Sequence, residues 1–180
     1  MQFEWTGKNA DFRQILALQK ENLISAVSDP SEGFVTLEMD ESSLDAMRGP
    51  YQHVIAREGE KLAGYALVML PGYADSFPLL DPMIRFIRQA YYQDQRVAEL
   101  RYFIMGQICV AADFRQQGVF RELYRQLRTQ MQSGFDLVIT EVSRANPRSL
   151  QGHKAVGFRS LRIPGQPAAA DWDIIGWNWQ

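Results

Sequence analysis

The sequence contains little of what marks several common classes of protein. A single cysteine, Cys109, excludes an internal disulfide, and two histidines do not predict a Cys/His zinc site. No apolar run approaches the roughly 20 residues that span a bilayer. Residues 1–12 lack the basic start and the apolar core of a signal peptide. We therefore expect a protein of the reducing cytoplasm that uses no metal and does not enter a membrane.

The sequence also lacks an excess of charge of either sign. The 180 residues include 19 lysines and arginines and 21 aspartates and glutamates, so the formal net charge is −2. This balance does not favour nucleic-acid binding, and Asp113 and Glu122 lie among the arginines of the 115–128 region. Hydrophobic residues make up 46% of the chain, which is ordinary for a globular protein. The length predicts one domain that spans residues 1–180.

The first hundred residues predict a mixture of strands and helices. Strands are expected from alternating apolar residues and helices from apolar residues at helical spacing. The strands are predicted at 2–6, 52–57 and 62–70, and the helices at 10–27, 37–47 and 83–92. Residues 71–100 form a long connection that we expect to be a helical insertion. It is either a lid or binding loop or a cover for one face of the sheet.

The second half of the chain has the strongest local pattern. Tyr102–Val110 is a nearly continuous apolar run, which is typical of a strand buried on both faces. Apolar residues at helical spacing then predict a helix at 119–131, and 137–142 reads as the next strand. A strand, a helix and a strand of these lengths predict a right-handed βαβ unit with parallel strands.

The remaining residues predict a short helix and a closing pair of strands. The helix is expected at 147–156, with Asn146 as its N-cap and Gly157 as its end. The strands are expected at 158–163 and 173–179, on either side of a loop at 164–171. The whole pattern predicts a mixed α/β protein.

The loop at 115–121 has the features of an anion site. Its sequence, RQQGVFR, joins the buried strand to the following helix, and backbone N–H groups at a helix N-terminus attract phosphate. Gly118 would leave room for a close approach, and Arg115, Arg121 and Arg125 could bind phosphate oxygens. The residues alone equally allow a simple turn at Gly118 with solvated arginines.

This loop resembles the pyrophosphate loop (Q/R-x-x-G-x-G/A) of the GCN5-related N-acetyltransferase (GNAT) superfamily. The segment NPRSLQGHKAVGF at 146–158 is similar to the N-x-x-A-x-x-x-Y-x-x-x-G-F segment of that family. The resemblance covers residues 102–163, with Phe120 in the last Gly/Ala position of the loop and His153 in the place of the tyrosine. It implies a central mixed sheet of about six to seven strands with a splayed parallel pair, flanked by about four to five helices.

The resemblance also implies where acetyl-CoA, the co-substrate of the family, would bind. It would enter the junction between the strands at 102–110 and 137–142. Asn146 would bond to the pantetheine arm, act as a plain helix cap, or do both. Cys109 is not expected to be a nucleophile, because a cysteine in an apolar strand without a nearby base normally packs. The expected cofactor-binding residues are Ile108, Cys109, Val110, Arg115, Gln116, Gln117, Gly118, Val119, Phe120, Arg121 and Asn146.

Two residues are candidates for acid–base chemistry. Glu141 falls on an apolar strand face, where burial would raise its pKa toward neutrality and make it a better base. His153 follows twelve positions later, the separation that relatives show between a glutamate and the tyrosine. We assign Glu141 as general base, through a water, and His153 as general acid or hydrogen-bond donor to the thiolate. The alternatives are an ion pair of Glu141 with Arg144 or Arg159, and an exposed helix position for His153.

The function implied is N-acetyl transfer from acetyl-CoA to an amine, by direct attack in a ternary complex. The N–H of Val110 is the candidate donor to the thioester oxygen. The acceptor is a small-molecule or peptide amine. Aromatic residues within 71–100, with few acids among them, favour a small or partly aromatic amine over a polycation; they are Tyr73, Phe77, Phe86, Tyr91 and Tyr92. The alternative is a non-catalytic acyl-CoA-binding or regulatory module. The oligomeric state stays open, a homodimer included.

Overall fold

A mixed seven-stranded sheet organises the structure, a computed structural model that describes residues 1–7, 9–75, 77–165 and 171–179. In chain order the strands are β1 (Gln2–Trp5), β2 (Val54–Glu58), β3 (Lys61–Met69), β4 (Tyr91–Tyr92), β5 (Gln95–Arg96), β6 (Tyr102–Val110), β7 (Leu137–Ser143), β8 (Arg159–Ser160) and β9 (Trp172–Asn178). The sheet order is β1-β2-β3-β6-β7-β9-β8, and β4 and β5 form a separate hairpin. The predicted mixed α/β class is confirmed.

In the part of the chain that the structure describes, six α-helices accompany the sheet: α1 (Asn9–Asn22), α2 (Glu41–Arg48), α3 (Pro71–Ala74), α4 (Asp81–Gln89), α5 (Val119–Met131) and α6 (Pro147–Val156). The bounds of α5 and α6 are those predicted. The count exceeds the expected four to five because residues 71–74 form a helical turn of their own. No helix in the described ranges is long and apolar enough to cross a membrane.

The helix predicted at 83–92 is α4, which begins at Asp81 and ends at Gln89. Two other helices, α1 and α2, are shorter than the sequence predicts, and this difference shapes the site. The helix α1 ends at Asn22 because its carbonyl accepts from the N–H of Val35 at 2.8 Å, and Ile24 N–H donates to the Val35 carbonyl at 2.9 Å. The helix α2 starts only at Glu41, because the Asp40 carboxylate caps it by accepting from Ser43 N–H at 2.7 Å. Residues 33–39 therefore lie outside both helices.

The parallel strands β6 and β7 are splayed, as predicted. They pair at only three positions, from Tyr102 opposite Leu137 to Ile104 opposite Ile139. Beyond this point β6 stays paired with β3 on its other side, and β7 with β9. At the point of divergence, Thr140 Oγ1 donates to the Met105 carbonyl at 3.1 Å. A gap therefore opens between the carboxyl-terminal halves of β6 and β7.

The closing strands pair as predicted. The strands β8 and β9 are antiparallel, with Arg159 opposite Gly176 and Ser160 opposite Ile175. Of the loop predicted at 164–171, residues 166–170 lie outside the described residues. The core of the protein is formed by both faces of the central strands; β3, for example, is buried at every residue from Leu62 to Met69.

Candidate active site

Two cavities meet at the gap between β6 and β7. The first cavity, of about 450 Å³, lies between the carboxyl-terminal end of β6, the 115–121 loop and α6. The second cavity, of about 540 Å³, lies between the diverging strands themselves. Five residues line both cavities: Phe34, Val35, Ile108, Asn146 and Ser149. A ligand in the first cavity can therefore present a group to a ligand in the second.

The first cavity contains the predicted anion site. Gly118 and Gln116 both have positive φ angles, +81° and +61°. Hydrogen bonding within α5 begins with Glu122 N–H to the Gly118 carbonyl at 3.1 Å. The N–H groups of the first turn, Val119–Arg121, thus have no acceptor in the described backbone. A Cβ at Gly118 would meet nothing within 4 Å, so the space beside the start of α5 is open.

The predicted cofactor-binding residues come together here, with one exception. Gln117 is exposed outside the cavity, and its side-chain amide donates to the Asp113 carbonyl at 2.8 Å. The others all line the first cavity: Ile108, Cys109, Val110, Arg115, Gln116, Gly118, Val119, Phe120, Arg121 and Asn146. The unusual Phe120 fits because it packs against Gly152 of α6, where a Cβ would lie only 3.5 Å from the ring.

The sequence did not predict one wall of this cavity, the segment 32–35. Glu32 forms ion pairs with Arg115 at 3.3 Å and with Arg148 at 2.7 Å. The Arg115 guanidinium also donates to Asn22 Oδ1 at 3.0 Å, so it is turned into the cavity floor rather than toward solvent. The partners are more than 80 residues apart, and no local pattern could have indicated the contact.

Asn146 joins α6 to the same segment. Its Oδ1 accepts from Ser149 N–H at 3.1 Å, which confirms its prediction as the N-cap of α6. Its Nδ2 donates to the Phe34 carbonyl at 2.8 Å. Asn146 therefore fixes the place where the two cavities meet. Its bond to a pantetheine arm stays a prediction.

The backbone of β6 offers a donor to the gap. Ala111 N–H donates to the carbonyl of Ala63, a residue of β3, at 2.9 Å. N–H groups of successive residues in a strand point to opposite sides, so the Val110 N–H points away from β3 and toward the gap. Burial raises the pKa of the neighbouring Cys109 thiol to about 12, so this thiol is not a nucleophile at neutral pH.

Glu141 is the carboxylate of the second cavity. Burial among apolar groups raises its pKa to about 7. No side chain that the structure describes hydrogen-bonds to it, and Arg144, one of its alternative partners, instead pairs with Asp173 at 2.9 Å. An unpaired carboxylate with a pKa near neutrality can accept a proton from a substrate.

His153 lines the second cavity but is not an exposed helix residue. Only 2% of its surface is accessible, and its ring packs edge-on against Phe120, Tyr124 and Phe158. Burial lowers its pKa to about 4, so the ring is neutral at pH 7. Its Nδ1–H donates to the Ser149 carbonyl at 2.8 Å, which leaves Nε2 with a lone pair and no proton. This protonation state does not fit the predicted role of His153 as acid or donor.

The 71–100 insertion forms a wall of the second cavity. Leu79, Leu80, Pro82 and Met83 line it. The aromatic residues to which the sequence pointed do not: Tyr73, Phe77, Phe86, Tyr91 and Tyr92 all lie elsewhere. Within residues 71–100, the second cavity is therefore lined by aliphatic residues and not by the aromatic residues that the composition indicated.

Comparisons with known proteins agree with this geometry. The sequence model of the Acetyltransferase (GNAT) family matches residues 12–158. The ribosomal-protein-S18-alanine N-acetyltransferase from Escherichia coli is similar in structure, with a TM-score of 0.61, 14% identity and coverage of 98% of this chain and 92% of that one. The comparison with curated proteins found no match.

Two further solved structures have the same fold. The ribosomal-protein-alanine N-acetyltransferase from Brucella melitensis has a TM-score of 0.60, with 17% identity and coverage of 98% of this chain and 97% of that one. The structure of yncA from Salmonella typhimurium with its cofactor acetyl-CoA has a TM-score of 0.61, with 13% identity and coverage of 100% and 94%. At these identities the likeness extends to the fold.

Proposed function

Because the chain belongs to the GNAT acetyltransferase family, we propose that it transfers the acetyl group of acetyl-CoA to an amine nitrogen, with both substrates bound together. The observation that carries this proposal is the meeting of the two cavities at the splayed strands. One cavity contains a cradle of backbone N–H groups, and the other contains a carboxylate that titrates near neutral pH.

The residues of the first cavity fit acetyl-CoA. The open N–H groups of Val119–Arg121 suit its pyrophosphate, and Gly118 leaves the approach clear. The edge of β6 at Ile108 and Val110 faces the gap and can pair with an extended amide chain such as pantetheine. When bound, acetyl-CoA supplies a thioester whose carbonyl carbon is open to attack by an amine.

Glu141 is proposed as the general base. An amine with a pKa near 10 is almost fully protonated at pH 7, so its nitrogen has no lone pair until a base removes a proton. Glu141 takes this proton, directly or through a water, and the Val110 N–H donates to the oxygen on which negative charge develops. Overall, a C–N bond forms, the thioester C–S bond breaks, and the ammonium nitrogen loses two protons. The first goes to Glu141, which returns it to solvent, and the second is lost to water once the nitrogen has attacked the carbonyl carbon.

No side chain is needed to protonate the leaving thiolate. A thiol has an ordinary pKa near 8.5, so its anion is a good leaving group and takes a proton from solvent. His153, with its one N–H bonded to the Ser149 carbonyl, is accordingly assigned to the packing of α6 against α5.

The test is to incubate the protein with acetyl-CoA and a panel of amines, amino acids and peptides while thiol release and the product mass are followed. The proposal expects stoichiometric thiol release and an acetylated amine for at least one acceptor. Binding of acetyl-CoA without acceptor-dependent thiol release across the panel would instead support the non-catalytic module.

A further inference from the structure

The residues that line the second cavity indicate which class of amine can bind there. We propose that the acceptor is a primary amine on an uncharged apolar body, alkyl or aryl, whose single ammonium group faces Glu141. This inference rests on the proposed function, because it identifies the substrate class of the same site. The volume of about 540 Å³ is within the range of small-molecule sites.

The charge of the cavity admits one cation. Among the described residues that line it, Glu141 and His153 are the only ionisable side chains, and His153 is neutral at pH 7. One ammonium can pair with Glu141. A second cation, as in a diamine or polyamine, would face an apolar wall without a partner, which is costly. A carboxylate next to the amine, as in a free amino acid, would be repelled by Glu141 and would find no lysine or arginine there.

Most of the polar side chains that line the cavity already form hydrogen bonds within the protein. Gln107 Nε2 donates to the Leu37 carbonyl at 2.8 Å, and its Oε1 accepts from Tyr65 Oη at 2.6 Å and from Gln19 Nε2 at 2.9 Å. Thr140 Oγ1 is bonded to the Met105 carbonyl, as described above. The peptide groups of a polypeptide acceptor would lose water here and find few free partners in return.

The rest of the lining is apolar and adaptable. Met69, Met83 and Met105 contribute flexible side chains that pack against varied shapes. Leu79 is 69% exposed although it is a large aliphatic residue, and it also lines the cavity. An apolar substrate body would cover surface that otherwise lies against water, which favours binding.

Matched pairs of acceptors that differ by one charge test the proposal. Hexylamine is compared with 1,6-hexanediamine, and 2-phenylethylamine with phenylalanine and with a peptide that begins with phenylalanine. Both kcat/KM for thiol release and, independently of turnover, calorimetric binding of each amine to the protein alone are measured. We expect both kcat/KM and binding affinity to be about tenfold higher for hexylamine than for the diamine. Both should be about a hundredfold higher for 2-phenylethylamine than for phenylalanine.

A variant at the cavity wall sharpens the test. Leu79→Glu places a second carboxylate at an exposed position on the cavity wall. The kcat/KM for the diamine should therefore rise about tenfold relative to that for hexylamine. Leu79→Gln is the matched control without the charge. Ile24→Glu controls for net charge, because Ile24 is exposed and lines neither cavity.

The outcomes separate the two claims. Equal or better binding and turnover of the diamine, phenylalanine or the peptide, or no binding of any amine, would overturn the inference about the acceptor. Thiol release with those acceptors would still support acetyl transfer. Binding that follows the expected order, without thiol release from any acceptor, would support the apolar cavity and contradict the proposed function.

Discussion

Glu141 illustrates at the residue scale how a reactive group reduces stability. Its folded pKa of about 7 exceeds the ordinary value of 4.5, so the folded state binds this proton more tightly than the unfolded state. Its contribution to stability is fully present below pH 4.5 and is lost as pH rises through 7. An ionised Glu141 at pH 8 therefore destabilises the fold.

Glu141→Gln should consequently separate activity from stability. We expect kcat to fall about a hundredfold, the usual scale for loss of a general base, with acetyl-CoA affinity retained. At pH 8 the free energy of unfolding should rise on the order of 2 kcal/mol, given that water reaches part of the carboxylate, with no gain at pH 4.5. Urea unfolding at the two pH values measures this. Glu38→Gln, at an exposed position, is the control. A variant that keeps full turnover would remove Glu141 from the mechanism.

For His153, in contrast to Glu141, we expect a substitution to leave kcat nearly unchanged. Since its ring is neutral and packed among aromatic side chains, a phenyl ring should replace it with little effect on chemistry. His153→Phe should keep kcat within a few-fold of the wild type, and its pH profile should be unchanged. A loss of a hundredfold or more in a variant that still shows the wild-type thermal transition would restore His153 as a proton donor.

At the scale of elements, the proposed role of the 115–121 loop can be tested by substitution of Gly118. Gly118→Glu would place a carboxylate in front of the N–H groups of α5, where a pyrophosphate should bind. We expect calorimetry to show loss of acetyl-CoA binding with the fold intact. Gly118→Ala, which carries the same unfavourable φ of +81° but leaves the space open, should bind within a few-fold of the wild type. Unchanged affinity in Gly118→Glu would show that the loop serves another purpose.

The elements also show what sequence could and could not predict. The helices α5 and α6 were predicted to the residue, because Gly118, Asn146 and Gly157 mark their ends locally and their apolar spacing is regular. The wall at 32–35 was missed, because its bonds to Arg115 and Asn146 join distant segments and leave no periodic pattern. His153 was placed in the site by its position, but its burial depends on Phe120 and Phe158 packing around it, which no spacing reveals.

At the scale of the whole molecule, burial shifts the pKa values of three described groups, His53, His153 and Glu141, to between about 4 and about 7. His53 is a structural histidine: its Nε2–H donates to the Leu44 carbonyl at 2.8 Å and its Nδ1 accepts from Val68 N–H at 3.0 Å. Burial lowers the pKa of both His53 and His153 to about 4 from 6.5. Their contribution is fully present above pH 6.5 and is lost as pH falls toward 4, while Glu141 acts in the opposite direction.

The net effect is a predictable loss of stability on acidification. From pH 7 to pH 5 the wild type should lose on the order of 2 kcal/mol of unfolding free energy, since two histidines outweigh one glutamate. Over the same pH interval, Glu141→Gln should lose about twice as much unfolding free energy as the wild type, and His153→Phe should lose almost none. Urea unfolding of the three proteins at both pH values checks the order. A wild type that gains stability at pH 5 would show that the histidines are not buried as described.

The pH dependence of kcat/KM for acetyl transfer to a simple primary amine tests the central claim most directly, because it reports the ionisations of the free protein and the free amine. If Glu141 removes the ammonium proton, kcat/KM of the wild type rises through about pH 7 and then reaches a plateau. In Glu141→Gln only the rare neutral amine can react, so kcat/KM should keep rising with unit slope toward the amine pKa near 10. Profiles of the same shape in both proteins would contradict the account.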